Sequence, residues 1–424
     1  MGLFPKCRRP VLTACVIVFV AGLGVRLALV LSAPGPHQVG GEPIGIAQSL
    51  ATTGRYADAY GTGVGLTAHC APLHPLLLSV LFRIFGPGEH AALAVNVFAS
   101  VAAALAFAFL PALAVASRLP LFTGVLAGIG GALLPVNYWP QTSGVFDAPF
   151  TCVALTVLCW LLCLTSTAGR FAKYDGFVFG IAAGLACLLN PVMIPVLVAW
   201  FVVCVVRHRQ QLRRVLWFFA ITALCVISFL APWAARNYVA LGSAIWTRSN
   251  FGLELQVSNN DITTADLERN VRLPEFGLLH PFIGEGERQK VRAMGEVAYQ
   301  RQKKTEAIAW ITAHKERFLV LTAERFRLFW LPGMRRVWQS AIEAALTVLG
   351  LAGLALLFWK GYDLAWIASA ALIAYSAVYY IIQVSPRYRF PLEPILFLLS
   401  AHCLLSVIAM ARRGREPRES YGAV

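Results

Sequence analysis

The sequence predicts an all-α polytopic membrane protein: about ten spans, interfacial helices in the first outer loop and a late soluble insertion. Three observations lead there. Of the 424 residues, 58% are hydrophobic and only 13% charged, with a mean hydropathy of +0.66, far too apolar for a soluble fold of this length. Apolar runs long enough to cross a hydrocarbon core of about 30 Å, which takes about 20 helical residues, recur along the chain. The segments between them alternate between Lys/Arg-rich and Lys/Arg-poor.

The first run covers 11–31. Its basic start and Ser-Ala-Pro-Gly exit resemble a secretory signal, but an apolar stretch of about 20 residues is long for one, so a retained anchor is expected. "VGGEPIGIAQSL" (39–50) follows, with a single acid, Glu42, between two glycines and a proline. Ile44, Ala47 and Leu50 recur at helical spacing and predict a short amphipathic helix on the membrane surface. "PLHPLLLSVLFRIFG" (72–86) is apolar but short and proline-rich, and is expected at or dipping into the interface. Spans are predicted at 91–117, 120–138 and 145–166. The run from Phe177 to Val206 exceeds one crossing and breaks at Asn190–Pro191, so it reads as two short helices meeting near the far side. Further spans fall at 215–234, 340–359, 364–384 and 392–411. Three regions result: a transmembrane module, 1–234, with its outer loop at 33–90; a mixed-charge insertion, 235–338; and a second transmembrane module, 339–424, with a short charged tail. Toward its end the insertion becomes helical, and Trp and Phe between Lys and Arg suit an interfacial helix running into the next span.

An even number of spans puts both termini on one side. The cytoplasmic segments then hold Lys6, Arg8, Arg9, Arg118, Arg170, Lys173, Arg207, Arg209, Arg213, Arg214, Lys360, Arg412, Arg413, Arg415 and Arg418, whereas the outer loops at "NYWPQ" and "LLNP" hold no Lys or Arg. The net charge of +15 is therefore mostly topology signal or lies in the insertion, and no nucleic-acid partner is expected. Of ten cysteines only Cys70 falls in an outer segment, so no disulfide framework forms. No P-loop, GxGxxG, HExxH or CxxC occurs, which argues against a nucleotide-driven pump, a dinucleotide enzyme and a zinc protease; the chain must act on an already activated substrate.

Ionisable groups cluster where desolvation is costly, at three outer stretches. Glu42 is either a charge stabilising a helix start or a partly desolvated general base. Asp58 is the rival acid, on flexible glycine-rich flanks. His69 and His74 read as interfacial histidines or as ligands or relays; Asn190 satisfies amides freed by Pro191 or touches a ligand. Arg387 and Arg389 flank Tyr388 and either compensate lipid headgroups or bind a substrate phosphate, which a planar guanidinium grips bidentately; Arg236 and Arg248 are similar candidates. Glu393 is expected to pair with one of these arginines, Glu254 to line the pocket, and Asp147 is a further buried acid without an evident partner. No cofactor or metal is expected; Glu42, Asp58 and His69 would have to meet in space to hold a divalent ion.

Four stretches in this order, "GGEPIGIAQSLATTGRYADAYGTGVGLTAHCAPLHPLLLSVLFRIFG", "LAPWAARNYVALGSAIWTRSNFGLELQVSNN", "HPFIGEGERQKVRAMGEVAYQ" running on to "RFRLFW", and "PRYRFPLEPILFLLSA", resemble the bacterial polyprenyl-phosphate-sugar-dependent glycosyltransferases of the GT-C superfamily, specifically the protein O-mannosyltransferase-like and aminoarabinose-transferase-like group. The resemblance implies a GT-C bundle and an inverting sugar transfer from a polyprenyl-phosphate donor to an acceptor hydroxyl on a glycolipid, polysaccharide or protein. It places the protein in the bacterial cytoplasmic membrane, with its site facing outside and an acid in the first outer loop as base. Many relatives carry an aspartate there; here the role passes to Glu42 by position, with Asp58 the nearest aspartate, and the arginines take the donor phosphate. A lipid-linked sugar flippase and an inactive assembly partner are the alternatives. The paired short helices at "LLNP" suit a transporter, but no internal repeat accompanies them.

Overall fold

The computed structural model describes residues 8–33, 37, 39–134, 139–331 and 337–413, and helix dominates them. The charged tail and the Tyr138 end of "NYWPQ" lie outside the described residues.

The first span is α1 (Arg8–Leu31). Two short helices follow in the first long loop, expected on the outer side: α2 (Glu42–Thr53) and α3 (Leu73–Phe85). The helical spacing of "EPIGIAQSL" buries α2 from two sides. Ile44 and Ala47 pack with Leu78, Phe82, Ala91 and Val95, while Ile46 and Leu50 join Tyr56, Tyr60, Trp233 and Leu253. The next span bends into α4 (Glu89–Ala108) and α5 (Leu110–Ala116), then come α6 (Leu121–Leu133), the single turn α7 (Trp139–Thr142) and α8 (Ala148–Thr167). The long apolar run divides where predicted, into α9 (Lys173–Leu189) and α10 (Met193–Arg207), with Asn190 and Pro191 at the break. The helix α11 (Leu212–Leu241) carries the chain out of the bundle without interruption, past Pro232.

The insertion is built from α12 (Phe251–Ser258), α13 (Leu267–Asn270), α14 (Glu285–Met294), α15 (Glu296–Ala313) and α16 (Lys315–Trp330). It leads into α17 (Val337–Trp359) and α18 (Asp363–Ala377); the turn α19 (Pro386–Arg389) then precedes α20 (Glu393–Arg413).

By length and composition seven of these segments can cross a membrane: α1, α4 with α5, α8, α11, α17, α18 with the turn after it, and α19 running into α20. The other three expected crossings, α6, α9 and α10, have 13, 17 and 15 residues, short of the usual 20 or so. The cause at α9 and α10 is local: Pro191 cannot donate an amide, and Asn190 turns extended. Within the spans α8 is the most enclosed, with 67% of its apolar stretch buried, whereas α1 and α11 show 28% each; the latter two therefore present mostly lipid-facing surface.

Close helix contacts are made by glycine. Gly176, Gly180 and Gly184 form one stripe of α9 against α11, and a Cβ at Gly184 would stand 2.5 Å from the Phe229 ring. Without water to expel, helices in lipid associate by such backbone approach. Trp200, fully buried on α10, donates its indole N–H to the Ile367 carbonyl of α18 at 2.9 Å.

The insertion is stitched to the bundle at two places. The backbones of Ala265 and Leu267 pair with Val384 (2.8 and 3.0 Å) just before α19. The buried Arg325 of α16 holds the C-terminal end of α12 through Asn259 Oδ1 (3.1 Å) and the Ser258 carbonyl.

Candidate functional site

Where the first long loop, the insertion and the ends of the spans meet lies a cavity of about 280 Å³. Glu42, His69, His74, Asn190, Arg248, Glu254, Arg387 and Tyr388 line it, so eight residues spread over more than 300 positions of sequence come together.

Glu42 enters from the first turn of α2. The residue before it, Gly41, has φ +140°, and a Cβ there would lie 3.0 Å from Val145, so only glycine turns the chain here and aims Glu42 inward. Burial raises the Glu42 carboxyl above its ordinary range, offset in part by its own backbone amide and by Arg387. A raised carboxylate is a stronger base, as proton abstraction requires.

Two guanidinium groups face the same space. Arg387 from α19 stacks on Phe146, its Cζ 3.6 Å from the ring centroid, and donates to the Tyr388 hydroxyl at 3.0 Å; Tyr388 in turn stacks on Tyr379 at 4.4 Å. Arg248 lies in the loop before α12. Burial works against its charge, but Tyr379, Asp147, Glu254 and Tyr388 together outweigh burial and raise its pKa. Among the described residues neither arginine has a carboxylate within ion-pair distance. Both are cations without a partner anion.

Asp147, noted in the sequence without a partner, lines the cavity and accepts from Asn190 Nδ2 (2.8 Å) and Thr151 Oγ1 (3.1 Å). Asn190 Oδ1 takes the Val192 amide at 3.0 Å. The helix break thus holds an acid in place as well as repairing its own backbone. His74 is buried, with Nε2 3.1 Å from the Gly144 carbonyl. His69 Nδ1 lies 2.7 Å from the Tyr60 hydroxyl, and burial, then His280 and Arg248, push its pKa well down, so it is neutral.

Four sequence candidates stand elsewhere. Asp58 has φ 66° and shapes the 57–66 turn, accepting from the Gly65 amide (3.1 Å) and Ser49 Oγ (3.4 Å). Arg236 clasps the carbonyls of Thr67 (2.7 Å) and Tyr56 (2.8 Å). Arg389 is buried on the carbonyls of Phe329, Trp330 and Glu343. Because its guanidinium is committed there, no ion pair joins Glu393 to an arginine among the described residues, and one Glu393 oxygen is buried without a hydrogen bond.

Two residues have no role in the sequence reading above. His280, in the loop before α14, stands with Nε2 3.7 Å from Glu42 Oε1. Glu296, at the start of α15, accepts from the Ala68 amide (2.8 Å), Ser249 Oγ (2.7 Å) and Thr67 Oγ1, bracing the segments that carry His69 and Arg248. Neither sits in a periodic pattern, and only the acid's isolation at a helix start, after Gly295, hints at it. Among the described residues no three His, Cys, Asp or Glu side chains group closely enough to hold a metal ion.

Fold and cavity define a multi-pass helical membrane protein that gathers one raised carboxylate and two unpaired guanidinium groups beside the bundle. No protein-family model and no curated protein sequence matches the chain. Solved structures do. The oligosaccharyltransferase of Archaeoglobus fulgidus, tethered to an acceptor peptide containing the NVT sequon, superposes with a TM-score of 0.57 at 14% identity, over 98% of this chain and 51% of that one. The archaeal oligosaccharyltransferase AglB of the same organism, with an inhibitory peptide and dolichol-phosphate, gives 0.57 at 12% identity, over 99% and 53%. The chain thus shares the membrane fold of these oligosaccharyltransferase structures and spans about half their length. ArnT from Cupriavidus metallidurans, bound to undecaprenyl phosphate, overlaps with a TM-score of only 0.38 at 14% identity, over 95% and 81%.

Proposed function

We propose that the protein is an inverting glycosyltransferase that moves a sugar from a polyprenyl-phosphate donor to a hydroxyl of a cell-envelope acceptor. In this reading it resides in the cytoplasmic membrane with both termini inside, and the cavity opens on the outer face. The carrying observation is the pairing, in one cavity, of the desolvated Glu42 with the anion-free Arg248 and Arg387. Dolichol-phosphate in the archaeal neighbour supports a lipid phosphate as the donor's leaving group.

The chemistry follows from where charge moves. The acceptor oxygen attacks the anomeric carbon from the face opposite the phosphate and its proton passes to Glu42. The bond from carbon to phosphate oxygen breaks, and its electron pair leaves with the lipid phosphate. Negative charge grows on that phosphate in the transition state, where Arg248 and Arg387 stabilise it more than in the ground state. Asp58, Arg236, Arg389 and Glu393 serve structure in this scheme.

The test is reconstitution with radiolabelled polyprenyl-phosphate sugars, scoring release of free polyprenyl phosphate. Glu42→Gln is expected to lower release by about 10²- to 10⁴-fold, the usual contribution of a positioned base. Wild-type rates in that variant would remove Glu42 from the mechanism.

A further inference from the structure

His280 meets Glu42 with a fixed orientation. Its Nδ1 accepts the backbone N–H of Phe282 at 3.2 Å, so that nitrogen carries no proton. A neutral ring must then bear its proton on Nε2, the atom 3.7 Å from Glu42 Oε1. The ring itself is immobilised, stacked on Phe276 (centroids 5.9 Å, 12° between planes) and edge-on to Tyr60 (6.2 Å). Protonating Nδ1 as well would sacrifice the Phe282 bond, which holds the ring neutral by geometry. Burial does the same, lowering its pKa to about 4, with Arg387 adding and Glu254 and Glu287 opposing.

We propose that His280 is a positioning residue for Glu42. Locked as the Nε2–H tautomer, it donates toward Oε1 and leaves Oε2 to take the acceptor's proton. At 3.7 Å the contact is longer than a hydrogen bond, and catalytic contacts of this kind tighten in the reacting complex. The soluble insertion thereby completes a base supplied by the first outer loop. This assignment rests on the reading of Glu42 as the base. The charged and titratable groups facing Glu42 are His280, Arg387, Tyr60 and Cys70; those facing His280 are Glu42, Glu254, Glu287, Arg387, His69 and Tyr60.

The test compares two uncharged replacements in the full-length reconstituted protein. The amide nitrogen of His280→Gln reaches the place of Nε2, whereas that of His280→Asn reaches only the place of Nδ1. His280→Asn should lower kcat about 10-fold or more, with donor KM unchanged. It should also move the acid limb of the pH–rate profile upward, because a carboxylate that loses a donor ionises at higher pH. His280→Gln should restore both. An Asn variant with the wild-type kcat and acid limb would overturn the assignment. A readout independent of turnover is the ¹⁵N-histidine spectrum of the wild type, expected to show a His280 ring with Nε2–H that stays neutral to below pH 5 and shifts in Glu42→Gln. A proton on Nδ1, or titration near 6.5, would sink the proposal whatever the activity. Absence of lipid-phosphate release by the wild type would sink only the transferase reading.

Discussion

Replacing Glu296 by alanine tests whether the insertion holds the site together. Its carboxylate is buried and accepts three hydrogen bonds, from Thr67 Oγ1, the Ala68 amide and Ser249 Oγ. Hydrogen bonds to a charged group contribute about 1.5–3 kcal/mol each, which would suggest 5 kcal/mol or more. The carboxylate is itself desolvated, which raises its pKa despite the three bonds and takes back part of that gain. The two hydroxyls can turn toward other acceptors, but the Ala68 amide cannot. A net loss of about 2–4 kcal/mol follows. At about 1–2 °C per kcal/mol for a chain of this size, melting in detergent should fall by about 2–8 °C. Donor binding should weaken as well, because Ser249 and Ala68 are the neighbours of Arg248 and His69. Thermal unfolding followed by thiol labelling of the buried cysteines, alongside donor titration, reads both effects. A Glu296→Ala protein that melts within 1 °C of wild type and binds donor normally would refute the bracing role.

Arg387→Ala should weaken use of the lipid-phosphate donor with little change in melting. Arg389→Ala should do the reverse, because it strands the carbonyls of Phe329, Trp330 and Glu343; equal donor loss in both would return Arg389 to the site. Glu287 supplies a pH signature. Burial alone would raise its carboxyl, but Lys290, Lys303 and Tyr299 together hold it below the ordinary glutamate value of 4.5. A depressed acid stabilises the fold above its unfolded pKa, and that stability is lost as pH falls through the folded value. Wild type should therefore lose melting temperature below about pH 4.5 more steeply than Glu287→Gln, and parallel curves would contradict it.

The architecture was legible because hydrocarbon thickness imposes a length on apolar runs, and Asn190–Pro191 is a break no helix absorbs. The site was legible only in part. Arg387 and Arg389 look equivalent in "PRYRF", yet two residues along a helical turn rotate a side chain by about 200°, so one enters the cavity and the other the bundle. Arg236 and Arg248 were separable no better, since direction depends on where α11 ends and the loop folds back. Asp58 had the chemistry of a base, but a left-handed turn occupies both its oxygens. His280 was invisible for the opposite reason: its partner lies 238 positions away, at Glu42, and no local pattern records that distance.

The clasp between loop and insertion also limits how such a chain can be rearranged. Arg236 grips the loop at Tyr56 and Thr67, and Glu296 grips it again at Thr67 and Ala68. A chimera that imports a foreign insertion onto this bundle would therefore leave the native loop without the Arg236 donor and the Glu296 acceptor, and strand its acid opposite the wrong ring. Loop and insertion form one cassette, and any exchange between proteins of this fold requires moving residues 42–70 and 236–300 together.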